Sequence, residues 1–215
     1  MKLKTALFLV MNGFASLTSS MAQSNIIQIS NQQKKVAITY SSSESKLAAE
    51  ILYSYLEKSL PNTFEIKDKN ITKSDAQIIL EIQKNNKELK DQEFILKSNS
   101  QDISLLATNL KSLKYAVYTL LEKWEFRKFT ATVSYIPKPD AFIFPKNFYQ
   151  KYQPTFAYRT LLYPDSYDQA FREWHKLDWF NDDFGLWGHT FDRLVPPKTH
   201  FKTNPKLYAL YEGKR

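Results

Sequence analysis

The sequence predicts an α+β fold, a small mixed sheet with two packed helices. Three observations carry this. Short apolar runs of strand length recur between residues 36 and 107. Two longer segments repeat apolar residues at spacings of three and four, the period of a helix with one buried face. Strand and helix signals alternate, and two such helices bury their stripes by lying on one sheet.

In chain order, residues 36–40 read as a short apolar strand. Ser43 or Ser45 can cap the next helix, with Glu44 in its first turn. Leu47, Ile51 and Tyr55 stack at a spacing of four, with Ala48, Leu52 and Leu56 beside them. Together they make a wide apolar stripe on a helix that stops before Pro61. Residues 64–66, 76–82, 93–97 and 103–107 read as strands, the 93–97 run alternating only weakly. A second helix is expected over 109–124, where Leu110, Leu113, Val117, Leu120 and Trp124 share a face.

The chain is expected to divide into four parts. Residues 1–22 read as an export signal: Lys2 and Lys4 precede a short apolar run, and Ser20-Met21-Ala22 offers a small-x-small cleavage site. The expected location is therefore periplasmic or extracellular. The run is too short to span a bilayer, and no later segment is apolar for long enough. Residues 23–137 form the α+β accessory domain. Residues 138–154 read as a linker, because Pro139, Pro145 and Pro154 punctuate them just after Pro137. Residues 155–215 form a second unit of different composition: 19 of the 32 aromatic residues lie from Ala141 onward. In it, 156–163 reads as a strand and 168–179 as a helix. Then come an aromatic loop over 185–189, Pro196-Pro197 and a short segment at 206–211.

Several chemistries are excluded. No glycine lies between Gly13 and Gly185, so there is no dinucleotide fingerprint or phosphate loop. There is no cysteine, and His175, His189 and His200 lack the paired spacing of a zinc helix, so neither a metal nor a cofactor is expected. The net charge of +8 is scattered among acids and does not form a nucleic-acid stripe. Asp182-Asp183 are adjacent and point apart, unlike the spaced carboxylates of a glycosidase. Three candidate substrate-binding residues remain. Arg159 sits in an apolar, aromatic run, where a charge is costly unless it faces a polar cleft or pairs with an acid. Trp187 and His189 flank Gly188. An indole beside an imidazole on a turn suits a pyranose, whose C–H face stacks on the ring while its hydroxyls take hydrogen bonds. No catalytic residue is assigned.

These residues carry a resemblance. Leu113-Lys114-Tyr115-Ala116-Val117-Tyr118-Thr119-Leu120-Leu121-Glu122 with Arg127, together with residues 47–56, 76–82 and 93–96, resembles the N-terminal domain of α-glucuronidases and β-hexosaminidases. Those families place glycine after the helix as a cap, where this chain has Glu125-Phe126. Phe156-Ala157-Tyr158-Arg159 resembles the first strand of their (β/α)₈ barrel, where the hexosaminidase arginine holds sugar hydroxyls; Thr160 replaces the glycine that follows. Trp187 to Phe191, Leu194 to Pro197, Phe201, Pro205 and residues 209–215 resemble a bacterial secreted family known as a domain of unknown function, DUF4838. The resemblance implies a β-hexosaminidase domain 2-like unit followed by an incomplete barrel start. It implies a carbohydrate-active, glycoside-hydrolase-related protein with an oligosaccharide or polysaccharide as partner. A full barrel needs about 250 residues, so the chain is expected to be an N-terminal fragment without the catalytic carboxylates and inactive alone. The alternative is a non-catalytic carbohydrate-binding or surface interaction module.

Overall fold

A computed structural model describes residues 25–32, 35–69, 77–179, 188 and 190–214. The expected export signal, residues 1–22, lies outside the described residues, as do Asp182, Asp183, Trp187 and His189.

The fold is α+β with a mixed sheet. Its strands are β1 (Ile26–Ser30), β2 (Val36–Tyr40), β3 (Phe64–Asp68), β4 (Gln77–Ile82), β5 (Phe94–Ser98), β6 (Ile103–Ala107), β7 (Arg127–Lys128), β8 (Ser134–Tyr135), β9 (Ala141–Pro145) and β10 (Tyr149–Tyr152). Six of them form one sheet in the order β10-β5-β6-β4-β2-β3. Strands β3, β2, β4 and β6 run parallel, and β5 runs against both of its neighbours. The helices α1 (Ser43–Ser59) and α2 (Leu110–Lys123) bury their apolar stripes on one face.

The register explains the core. Ile38 lies beside Ile78, which lies beside Ile103; Leu80 lies beside Leu105, which lies beside Leu96. Side chains two apart on a strand share a face, so these residues form continuous rows under the helices. Ala48, Leu52 and Leu56 of α1 and Leu113, Val117 and Leu120 of α2 close over them, all fully buried. The stripe on α1 is narrower than expected: Leu47 is exposed on its outer flank.

The helix ends are set by local chemistry. The cap of α1 is Ser42 rather than Ser43 or Ser45. Its Oγ accepts from the Ser45 N–H at 3.1 Å, and the Ser45 Oγ accepts from the Ser42 N–H at 2.9 Å, a reciprocal capping box. Asn109 caps α2 by accepting from the Ser112 N–H at 2.9 Å. The end of α2 is a Schellman motif. The Phe126 N–H donates to the Leu121 carbonyl and the Glu125 N–H to the Glu122 carbonyl, with Glu125 at φ 68°.

The expected linker, 138–154, is not one. Its residues form β9, which pairs with β1, and β10, which extends the sheet beyond β5. Phe142 and Phe144 alternate inward from β9 and are buried, and Trp124 stacks on Phe142 at 4.7 Å. The prolines do not break these strands because Pro145 ends β9 and Pro154 lies past β10, where no ladder donor is required.

Two further expectations are corrected. Residues 156–163 join no sheet among the described residues. The Arg159 backbone instead pairs with a single residue: the Arg159 N–H donates to Asp178 Oδ2 at 2.8 Å and the Asp178 N–H to the Arg159 carbonyl at 2.6 Å. The helix expected over 168–179 is α3 (Gln169–Trp174), capped by Asp168, whose Oδ1 accepts from the Phe171 N–H at 2.7 Å. A second Schellman motif stops it: Leu177 donates to Arg172 and Lys176 to Glu173, with Lys176 at φ 58°. Beyond it lie the short helices α4 (Phe191–Leu194) and α5 (Pro197–His200). No residue among those described from 188 to 214 is buried. Among the described residues no helix is long and apolar enough to cross a membrane.

Candidate functional site

Helix α2 has two working faces. Leu113, Ala116, Val117 and Leu120 face the sheet core. Lys111, Lys114, Tyr115 and Tyr118, at helical spacings of three and four, contact the segment that carries Arg159 and α3. Docking is anchored by Trp174, 2% exposed, whose ring centre lies 5.5 Å from that of Tyr55 and 5.2 Å from that of Tyr118. Ion pairs flank the indole. Lys114 Nζ donates to Glu173 Oε1 at 2.6 Å, Lys111 Nζ to Asp178 Oδ1 at 2.6 Å, and Lys176 Nζ to Glu122 Oε2 at 3.1 Å. Asp178 is buried, and its second oxygen accepts the Arg159 N–H, so its charge is matched on both sides.

Two cavities open along this seam, with Tyr115 in the wall of both. The smaller, about 240 Å³, is lined by Phe94, Tyr115, Tyr152, Arg159 and His175 among others. Phe94 and Tyr152 stack at 4.7 Å to form one side. Arg159 is held rigidly at this cavity. Its Nε donates to the Lys176 carbonyl at 2.9 Å, Nη1 to the Phe156 carbonyl at 2.6 Å, and Nη2 to Gln92 Oε1 at 2.7 Å. Gln92 sits at φ 64° just before β5, so the N-terminal unit itself positions the arginine. A guanidinium has five N–H donors, and three are engaged this way. His175 Nε2 bonds the Lys128 carbonyl at 2.9 Å, which fixes that ring to the β7 strand.

The larger cavity, about 410 Å³, lies between α2 and α3. Lys111, Lys114, Tyr115, Arg172, Glu173, Asp178 and Trp179 give it its character. The Arg172 guanidinium lies 4.4 Å from the Trp179 ring centre.

The phenols of the seam are held neutral. Burial raises the Tyr118 pKa well above its ordinary value, and Glu173 adds to the rise. Burial also raises Tyr55, helped by Asp168 and Glu173. Tyr115 is raised by burial and by Asp178, against the opposing pull of Lys111 and Arg159. The Tyr115 hydroxyl is buried, and the Arg159 guanidinium lies 5.8 Å from the Tyr115 ring centre. At the start of β5, burial works to raise the Glu93 pKa. The Lys151 ammonium and the Lys90 N–H outweigh it and hold that carboxyl below its ordinary value.

Of the expected site residues, Arg159 is the one the described structure places at a cavity. Lys111, Lys114, Tyr115 and Trp179 were not anticipated. The first three share a second, polar and aromatic stripe on α2 beside its apolar one, whereas Trp179 lies past the end of α3. Among the described residues there is no cluster of side chains able to hold a metal ion.

Comparison with known proteins gives three findings. The model of the domain of unknown function DUF4838 matches residues 128–215. No curated protein sequence matches the chain. Solved structures of a glycoside hydrolase family 20 exo-β-N-acetylglucosaminidase from Vibrio harveyi, one an inactive mutant and one in complex with N-acetylglucosamine, are similar to part of the chain. Each has 18% identity and a TM-score of 0.42. The likeness covers 63% and 62% of this chain and 18% of each of those chains, so the chain spans less than a fifth of their length.

Proposed function

We propose that this chain is part of an exported, carbohydrate-active protein related to glycoside hydrolases. In this reading residues 25–152 are an accessory α+β domain, and the segment from Arg159 begins the sugar-binding face. The observation that carries it is the cavity where a pre-positioned arginine meets Phe94, Tyr115 and Tyr152. An aromatic wall with a few convergent polar groups is the usual form of a small-molecule site. Rings offer stacking area to a pyranose, and the remaining guanidinium donors offer hydrogen bonds to its hydroxyls. The match of residues 128–215 to DUF4838, together with the helix that resembles α-glucuronidases and β-hexosaminidases, supports the same reading. Trp187 and His189 are assigned further substrate contacts on the pyranose argument alone. Export rests on Lys2, Lys4 and the Ala22-Gln23 junction, and N-terminal sequencing of the secreted protein should find Gln23 first.

No residue here is assigned a catalytic acid. Glu173 and Asp178, the carboxylates of the larger cavity, are each committed to a lysine. That favours a second reading, a carbohydrate-binding module without hydrolysis. One experiment serves both. The chain is titrated with a panel of oligosaccharides and assayed on aryl glycosides and glucuronides. Weak saccharide binding, lost in Arg159→Ala, with no turnover is the expected result. Turnover abolished by mutating an acid of this chain would falsify the non-catalytic assignment, and an absence of any saccharide binding would remove the carbohydrate reading.

A further inference from the structure

We infer that Gln92 is the positioning residue of the smaller cavity: it locks the Arg159 guanidinium at the cavity wall, which makes the α+β unit a working half of that site. This deepens the carbohydrate reading above and rests on it for the ligand, while the geometry stands apart from it.

Three observations converge. The first is a two-ended clamp. Gln92 Oε1 accepts from Arg159 Nη2 at 2.7 Å, and Gln92 Nε2 donates to the Ala157 carbonyl at 2.8 Å. An amide has one accepting and one donating end. Turned over, it would set its NH₂ against the guanidinium and its oxygen against the carbonyl, so the two bonds fix its orientation. The Arg159 bonds to the Phe156 and Lys176 carbonyls stay within its own segment and move with it. The bond to Gln92 refers the guanidinium to the sheet, and the Tyr115 ring, its centre 5.8 Å away, backs it from α2.

The second observation is the turn that carries Gln92. The Glu93 N–H donates to the Lys90 carbonyl at 3.2 Å, closing four residues whose third, Gln92, takes φ 64°. Glycine or asparagine suits that position, and a longer side chain is strained there. The Glu93 carboxylate braces the turn, accepting from the Lys90 N–H at 2.9 Å and from Lys151 Nζ of β10 at 2.8 Å. A strained residue persists where its surroundings hold it in place, and such residues gather at functional sites.

The third is that docking has other anchors. Trp174 and the lysine pairs to Glu173 and Asp178 fasten the later segment to α2. Gln92 instead lines the cavity beside Arg159, two residues before the Phe94 that stacks on Tyr152. A guanidinium already ordered gives up less freedom when a ligand arrives than one that swings in solution.

The test is guanidinium NMR of the full chain with labelled arginine, in wild type, Gln92→Met and Gln92→Glu. Both variants lose the bond to the Ala157 carbonyl, but the carboxylate keeps an acceptor for Arg159 and the thioether does not. Arg159, assigned by its absence in Arg159→Lys, should show separate Nη signals in wild type and in Gln92→Glu. In Gln92→Met they should merge as rotation about Cζ–Nε is freed, while amide protection across α3 is unchanged. Separate signals surviving in Gln92→Met, or merged signals in wild type, overturn the inference. Loss of α3 protection in Gln92→Met would make Gln92 a structural tie and overturns it too. Calorimetry with cellobiose, xylobiose and maltose reads the consequence. Affinity should fall about two- to tenfold in Gln92→Met, the cost of ordering one long side chain on binding, and recover in Gln92→Glu. Equal affinity in wild type and Gln92→Met overturns the inference. If none of the three binds while the NMR pattern holds, the carbohydrate reading falls and the positioning role stands.

Discussion

The segment 156–178 and the described residues 190–214 have similar compositions and opposite fates. Both are rich in aromatic and apolar residues. The first buries Phe171, Trp174, Ser166 and Asp178, and sets Trp174 against Tyr55 and Tyr118 and Asp178 against Lys111 of the N-terminal unit. The second buries none of its described residues: Phe191, Leu194, Leu207, Leu210 and Tyr211 are each at least half exposed, and Phe191 and Phe201 meet Tyr208 edge to face. Apolar content therefore did not decide which stretch packs. What decided was a receiving surface. Helix α2 offers Tyr118 to Trp174 and lysines to Glu173 and Asp178. The later segment has no such counterpart among the described residues, and an exposed apolar patch of that kind marks an interaction surface or an aggregation liability.

The largest effect expected on this contrast is from Trp174→Ala. Removing a fully buried indole should cost about 3–5 kcal/mol, read in urea unfolding, and should free the 156–178 segment to rapid amide exchange. A loss under 1 kcal/mol would show that the indole is not the anchor. Next, Asp178→Ala removes an acceptor from Lys111 and the one that takes the Arg159 N–H, and should cost about 1–3 kcal/mol.

The third prediction concerns pH. The Glu93 carboxyl is lowered in the fold, so its contribution is present above the unfolded carboxylate value of about 4.3. It should fade as pH falls below that value, through the folded one. Acid titration should therefore weaken the Lys151–Glu93 link, which ties β10 to the sheet at 2.8 Å. In Glu93→Gln that part of the acid response should vanish. A similar acid response in wild type and Glu93→Gln counts against it.

Smaller effects should follow at the helix ends. Glu125 and Lys176 hold left-handed conformations at φ 68° and 58°, which cost a residue with a Cβ about 1 kcal/mol relative to glycine. Glu125→Gly should stabilise by about 0.5–1 kcal/mol. Both substitutions lose an ion pair, Glu125 to Arg127 and Lys176 to Glu122; Lys176→Gly should gain less, because its pair is the less exposed of the two. The smallest effect is expected from Leu194→Ala, within about 0.5 kcal/mol. A larger loss there would mean the later segment packs after all.

How far the sequence could be read follows the same division. Strand 103–107 and helix α2 are legible because periodicity is a local signal, although Asn109 reads there as the first helical residue and is in fact the cap. Ser42 was missed because Ser41, Ser42 and Ser43 are equivalent caps on paper and the reciprocal bond to Ser45 separates them only in space. The 138–154 strands were missed because four prolines outweighed the alternation of Phe142 and Phe144. The end of α3 carried no glycine to announce a left-handed residue. At the site, Arg159 stood out as a charge in an apolar run, whereas its partners Gln92 and Lys176 are distant in sequence. Tyr115 lies off the apolar stripe of α2, and only the docked segment turns it into a shared wall.

The pairing of β1 with β9 bears on how the protein is made. The amino-terminal strand finds its mate more than a hundred residues downstream, Ile27 opposite Phe144. β10 reaches the sheet later still. Contacts so distant in sequence form late. During synthesis, residues 26–30 must therefore wait on the ribosome with no partner strand until residue 145 has emerged. Until then Ile27 and Ile29, buried in the finished fold, stay open to solvent.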